Sequence, residues 1–224
     1  MHHAHRTSRA LLEIVHRADR FVVINKPAGM LSVPGKGDDR QDCVASRVRT
    51  MFPHASGPIT VHRLDMDTSG LLVAALDEGA QRELSRQFEC REVEKRYVAL
   101  VTGVVEAESG TIDAPVRPDY LNRPYQVVDP SHNRPAITGW RVLAFETDRT
   151  RIELTPLTGR THQLRVHCAH AAPLGLGHEI LGDVLYGSPV GRSGVDRLML
   201  HASRLALTDP DTGDRVELSS SPPF

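Results

Sequence analysis

The 224-residue chain reads as an α+β domain, a mixed and mainly antiparallel sheet with flanking helices and loops. Two observations lead there. Strand-like segments outnumber helical ones and often follow one another directly, as GWRVLAF (139–145) and RIELTP (151–156) do, which repeated βαβ crossovers would not produce. The length suffices for one sizeable core, with neither an internal repeat nor a low-complexity segment to suggest an array.

Taken in order, FVVINKP (21–27) is a strand stopped by its proline, and AGMLSVPGKGDDRQD (28–42) is a turn-rich loop. Val44, Val48 and Phe52 recur at helical spacing behind Asp42, so the spacing predicts a helix over 42–52 with Asp42 as its cap. ITVHRLD (59–65) and SGLLVAAL (69–76) are two short strands. Residues 77–92 form an amphipathic helix with Asp77 as cap, acids in the first turn, and Ala80, Leu84 and Phe88 on one stripe. KRYVALVTG (95–103) is a strand whose alternation puts Tyr97, Ala99 and Val101 on one face. An irregular region with five prolines follows (113–136); it is either a linker or, since strands resume without a change in character, a surface excursion. THQLRVHCAHAA (161–172) is a short helix, and LMLHASRLAL and RVELS close the chain as strands.

Apolar residues at 40% and charged residues at 25% are ordinary for a soluble globular protein. No segment approaches the roughly 20 apolar residues of a membrane span, and MHHAHRTSRA lacks the apolar centre of a signal peptide, so a cytoplasmic location is expected. Cys43, Cys90 and Cys168 are an odd number without a close pair, as reduced thiols in a reducing compartment would be. A net charge of −1 gives no global footprint for nucleic acid. The positive charge is almost all arginine, with lysine only at 26, 36 and 95, and the planar fork of arginine suits phosphate and carboxylate partners.

Three polar side chains stand where structure alone would not ask for them. Asp65, in HRLDMDTSG (62–70), lies between two apolar segments; on an extended backbone it would share a face with Arg63 while Leu64 took the other, as on the floor of a cleft. The bland alternative is a solvated turn. Tyr97 lies in a strand beside Lys95 and Arg96, where an ordinary packed aromatic is the competing explanation. Arg160 sits near the start of a helix, opposed by the positive end of the dipole unless an anion compensates it, and Asp65 is a candidate for that anion.

With these residues in view, HRLDMDTSGLLV resembles the HRLD-x-x-TSG-LLV signature of the RluA-type pseudouridine synthases. VINKPAGMLSVPG, KRYVALVTG and LTGRTHQLRVH are similar to three further segments of that family in the family's order, so the resemblance covers nearly the whole chain. It implies the pseudouridine synthase catalytic fold with a central cleft, and an enzyme that isomerises uridine to pseudouridine in RNA without a cofactor or metal. By the same resemblance Asp65 is the catalytic aspartate, Tyr97 stacks on the target base and helps proton removal from C5, and Arg160 pairs with Asp65. Arg63 enters the RNA where the base has left, and His62, Thr68, Lys95, Leu164 and Arg165 also face RNA. Residues 1–14 are then a tail and 15–224 a single catalytic domain, without the S4-type RNA-binding domain of several relatives. The substrate implied is a stem-loop in 23S ribosomal RNA, a tRNA anticodon arm, or both, bound by a monomer.

One departure is the segment HCAHAAPLGLGHEILGDVLYG, longer than usual and with Glu179 where proline is common; it is expected on the nucleic-acid side. Arg82, Arg86, Arg91 and Lys95 form either an RNA-facing stripe or a solvated face laced with ion pairs. Other classes fit less well. DMDTS resembles the D-x-D-x-T motif of Mg²⁺-dependent aspartyl-phosphate phosphotransferases, but Thr68 comes one residue too early. His162, His167 and His170 could suggest a metal site, yet no partner completes a ligand set. A non-catalytic RNA-binding module would have no use for Asp65.

Overall fold

The computed structural model describes residues 12–224, so most of the expected tail over 1–14 lies outside the described residues. The chain enters through an antiparallel hairpin of β1 (Glu13–Arg17) and β2 (Phe21–Lys26). A loop leads to α1 (Val44–Met51). Its cap is Cys43 rather than the expected Asp42: the Cys43 sulfur accepts from the Ser46 amide, the Ser46 hydroxyl accepts from the Cys43 amide, and Asp42 instead pairs with Arg47. Then come β3 (Ser69–Ala75) and α2 (Glu78–Glu89), the latter capped by Asp77 accepting from the Ala80 amide, as expected.

β4 (Glu94–Thr102) is followed by two elements absent from the sequence reading. These are β5 (Ser109–Asp113) and a small hairpin of β6 (Val116–Pro118) and β7 (Gln126–Val128) within the proline-rich excursion. β8 (Ile137–Glu146), β9 (Arg149–Pro156), α3 (Gln163–Ala169), β10 (Leu200–Thr208) and β11 (Arg215–Ser219) complete the domain. The main sheet runs β1-β2-β3-β10-β4-β9-β8-β5, with β11 also paired to β10. Among the described strands only β3 and β10 pair in parallel, so the mixed, mainly antiparallel sheet is as expected.

The apolar runs in β2 and β3 have a simple cause: both faces are covered. Val22, Ile24, Leu72 and Ala74 pack with Val44, Val48 and Phe52 of the α1 side. Phe21, Val23, Leu71 and Val73 pack with Ala80 and Leu84 of α2. Leu84 is fully buried, worth about 2 kcal/mol of apolar transfer. A second region of core joins Ala99, Val101, Ile152 and Leu154 to Leu164 and Cys168 of α3. The functional loops therefore spring from a double-sided, rigid support.

At the β3–β10 junction Gly70 has φ +111, and a Cβ there would run into the Ala202 backbone. Beside it His201, 1% exposed, shares hydrogen bonds through Nδ1 with the Ser69 hydroxyl (2.8 Å) and through Nε2 with Ser220 (3.1 Å). Burial, helped by the nearby Arg197 charge, pushes its pKa from 6.5 down to about 4. The unfolded chain thus takes up a proton near pH 6.5 that the folded imidazole refuses until about pH 4, so this contribution is present at neutral pH and lost as pH falls through that window. Between pH 7 and pH 5 His201 should account for about 2 kcal/mol of lost stability. Urea unfolding at the two pH values checks this: His201→Asn should flatten the dependence by that amount relative to the parent.

Candidate active site

The segment ITVHRLD (59–65), expected as a strand, is not one. Ala75 still donates to the Ile59 carbonyl and Thr60 bridges Ala74, but the Val73 amide is taken by the His62 ring nitrogen Nε2 at 3.0 Å, and the backbone leaves the sheet there. A side-chain acceptor in place of a ladder carbonyl requires a neutral imidazole. Burial supplies it, pushing the His62 pKa down to about 3, with the ring stacked on Phe88 at 4.3 Å. His62, expected to face RNA, has one ring nitrogen and one ring face committed to the protein. Two residues on, Leu64 is buried and clamped, its amide donating to the Ser32 hydroxyl (3.1 Å), which donates back to the Leu64 carbonyl (2.7 Å). The alternation expected of residues 63 to 65 survives in the loop: Arg63 is exposed, Leu64 buried, and Asp65 half-buried.

Asp65 opens a tight turn, its carbonyl accepting from the Thr68 amide at 3.2 Å, and Thr68 is itself buried. Below the turn lies Lys26, which the sequence reading passed over. It is fully buried at the end of β2, and its Nζ donates to the carbonyls of Pro27 (2.9 Å), Met30 (2.7 Å) and Met66 (2.8 Å). Three acceptors match the three protons of an ammonium. Burial pulls its pKa down to about 7, against the charges of Asp67 and Asp65. The signal available in the sequence was a lysine ending an apolar run.

Arg160 does not pair with Asp65. α3 begins only at Gln163, after His162 in a left-handed conformation, so Arg160 lies in the preceding loop. There its backbone amide donates to Gln163 Oε1 (2.9 Å) and its Nε to the Pro135 carbonyl (3.1 Å). The partner of Asp65 is Arg165, on the helix and 3% exposed, with Nη1 3.7 Å from Asp65 Oδ2. This also corrects Arg165 itself: expected among the RNA-facing residues, it is occupied by carboxylates. Its principal bond is to Asp183, Nε to Oδ2 at 2.7 Å and Nη2 to Oδ1 at 2.5 Å. The guanidinium carbon also sits 5.3 Å from the Tyr186 ring centroid. Asp183 and Tyr186 lie in the segment 167–187 expected on the nucleic-acid side but were not among the candidate site residues; the tight LGD turn carrying Asp183 was the available clue.

A cleft of about 1130 Å³ runs over these residues, lined by Arg63, Asp65, Tyr97, Arg160, Leu164 and Arg165 among others. Tyr97, on β4, packs against two core clusters at its floor. Burial, and then the Asp65 charge, raise its pKa well above the ordinary phenol value, so it stays protonated at neutral pH. Leu164 is buried but contributes to the same wall. Five cations line the cleft without an ion pair among the described residues: Arg40, Arg63, Arg91, Lys95 and Arg160. Of the basic stripe near α2, Arg86 is committed to Glu83 and Glu92, while Arg91 and Lys95 turn to the cleft.

His167 has both ring nitrogens in use, Nδ1 with Thr138 Oγ1 and Nε2 with the Ala114 carbonyl, both at 2.9 Å, and it holds the fold together. Val184 and Leu185, near the end of the longer segment 167–187, line the cleft, whereas its stretch 170–179 does not. That stretch packs behind α3, where the Leu176 and His178 amides donate to the His167 and Cys168 carbonyls, and Glu179 accepts from Ser188.

Residues 20–170 match the family described as RNA pseudouridylate synthase. Dual-specificity RNA pseudouridine synthase RluA of Pasteurella multocida is 45% identical over 214 residues, which cover 95% of this chain and 94% of that protein. Its counterpart from Escherichia coli is 44% identical over the same shares. Among solved structures, human RNA pseudouridylate synthase domain containing 1 superposes with a TM-score of 0.77 at 33% identity, over 95% of this chain and 84% of its own. Human RNA pseudouridylate synthase domain containing 4 gives 0.72 at 27% identity, over 94% and 88%.

Since Lys26 satisfies three carbonyls at once, Lys26→Met keeps its bulk and strands all three. Stability should fall by about 3 kcal/mol or more, read from the urea midpoint.

Proposed function

The chain belongs to the RNA pseudouridylate synthase family, and from that premise we propose that Asp65, Tyr97 and Arg165 carry out the isomerisation on uridines in stem-loops of both ribosomal and transfer RNA. The chain is an RNA pseudouridine synthase, an isomerase; the aspartyl-phosphate and purely RNA-binding alternatives give way to family membership. The observation that carries the assignment of residues is one ion pair. A half-exposed carboxylate stands 3.7 Å from a buried guanidinium on the floor of a cleft rimmed by unpaired cations.

The reaction breaks the N1–C1′ bond, joins C5 to C1′, releases the C5 proton and protonates N1. Nothing is oxidised, reduced or added, so the side chains need only bind, position and move protons. Flipping the uridine out of its stack costs a few kcal/mol. Tyr97 offers an aromatic floor for the extruded base, and Arg63, exposed at the edge, is placed to fill the space it leaves. The Asp65 carboxylate is the group that meets the reacting atoms, and Arg165 compensates its charge. A protonated Tyr97 donates or relays a proton rather than acting as a free phenolate base.

Arg40, Arg91, Lys95 and Arg160 are assigned to phosphates on either side of the target, where local geometry of an RNA loop is read. All of these groups come from one chain, so a monomer is the functional unit. We place it in the cytoplasm with its RNA substrates; no helix among the described residues is long and apolar enough to cross a membrane.

Tritium release from RNA carrying 5-tritiated uridine tests the assignment, with ribosomal and transfer RNA stem-loops assayed separately. Asp65→Asn should abolish release, by at least about 1,000-fold, while RNA affinity stays within about twofold. Residual activity within tenfold of the parent would end the role of Asp65, and release from only one RNA class would end the dual assignment.

The two arginines separate in the same assay. Arg165→Lys loses the two-point bond to Asp183 and should lower turnover about 100-fold. Arg160→Lys keeps a cation at the cleft edge and should change turnover by less than about threefold, with any loss appearing in KM. The reverse ranking would restore Arg160 as the partner of Asp65.

A further inference from the structure

We infer that Asp183 is a positioning residue: it holds the Arg165 guanidinium so that the Asp65 carboxylate keeps a free face toward the substrate. The inference rests on the catalytic reading of Asp65 and goes beyond it, since Asp183 touches neither substrate nor reacting atoms. Its side chain is 1% exposed and takes one edge of the guanidinium through two donors, Nε and Nη2, at 2.7 and 2.5 Å, leaving Nη1 for a single, longer approach to Asp65 at 3.7 Å. The strong pair is therefore the buried one, and the catalytic pair is the weak one.

That division has a physical consequence. A guanidinium this deeply buried must be neutralised by a well-placed anion. Were Asp65 the only carboxylate nearby, it would be drawn into a two-point pair, with both oxygens occupied and turned away from the cleft. Asp183 supplies that pairing instead, and the Asp65 side chain remains 27% exposed. Asp183 is itself fixed, its Oδ1 accepting from the Leu185 amide (2.9 Å) and the Tyr186 amide (3.0 Å). The face of the guanidinium is fixed as well. Tyr186 lies against it, and the Tyr186 hydroxyl is held by His162 Nδ1 and by the Gln126 amide, each at 2.8 Å. Arg165 is thus located by groups that do not take part in the reaction, so its position does not depend on what Asp65 is doing.

Asp183→Asn tests this because it keeps an oxygen for the two backbone amides but removes the charge and replaces the acceptor of Arg165 Nε with a donor. In single-turnover tritium release at saturating RNA, with folded enzyme counted by stoichiometric RNA titration, the rate constant should fall about 30-fold or more while RNA affinity stays within about twofold. In an Arg165→Lys background the same substitution should cost less than about threefold, because the group it positions is already altered. Asp183→Glu, which keeps the charge in the pocket but displaces it, should fall about tenfold and serves where the Asn variant does not fold. A rate within threefold of the parent for both folded variants, fully multiplicative effects with Arg165→Lys, or a loss of RNA affinity that accounts for the rate would each overturn the positioning role. Parent enzyme that releases no tritium would overturn the catalytic reading and this inference together.

Discussion

A buried arginine sets the terms for this site. Arg165 is 3% exposed, on a helix of only seven residues, and a charge in that setting would cost several kcal/mol without partners. Its needs organise the surroundings: the turn that presents Asp183, the ring of Tyr186, and the loop that carries Asp65. Even the start of α3 is shaped accordingly. The side-chain amide of Gln163 ties Thr158 and the Arg160 amide to its oxygen and donates to the Ile137 carbonyl and the Thr138 hydroxyl, so the loop before the helix is fastened to β8.

The second support lies on the other side of the cleft. There Lys26 and Ser32 hold the backbone of residues 64 to 66 from below, and His62 closes the gap left in the sheet. These bonds are made to backbone groups, so they fix the path of the chain and leave the Asp65 side chain free. Carboxylate and guanidinium thus reach each other from two independently anchored elements. The 3.7 Å separation is the result of where both are held.

Much of this was legible in the residues. The double-sided strands, the Asp77-capped helix and the antiparallel sheet follow from patterns that local physics enforces, because a buried stripe or a cap is a property of a few neighbouring residues. What was not legible depends on orientation. Arg160 and Arg165 lie five residues apart in one motif, and helix-dipole reasoning favoured the first; it failed because His162 delays the helix to Gln163, which leaves Arg160 in a loop and turns Arg165 inward. HRLD has strand-like composition but gives its ladder position to a histidine side chain. The β6–β7 hairpin hid among prolines, and Cys43 is an unusual cap beside an aspartate that would ordinarily serve.

The near-zero net charge, which gave no hint of a polyanionic substrate, is reconciled with one by how the charge is distributed. Elsewhere on the surface Arg20, Arg86, Arg141 and Arg204 are neutralised by neighbouring carboxylates, whereas the cations along the cleft are not. Such a field is local. Screening at physiological ionic strength reduces it within about 8 Å, so it contributes little to capture at a distance and acts once the RNA backbone is already against the cleft. On the proposed assignment, recognition depends on whether the strand can present its phosphates to several separate cations at once while delivering one base to the floor. That is a demand on the shape of an RNA loop more than on its charge, and it is consistent with a small domain that carries its specificity in the same cleft as its chemistry.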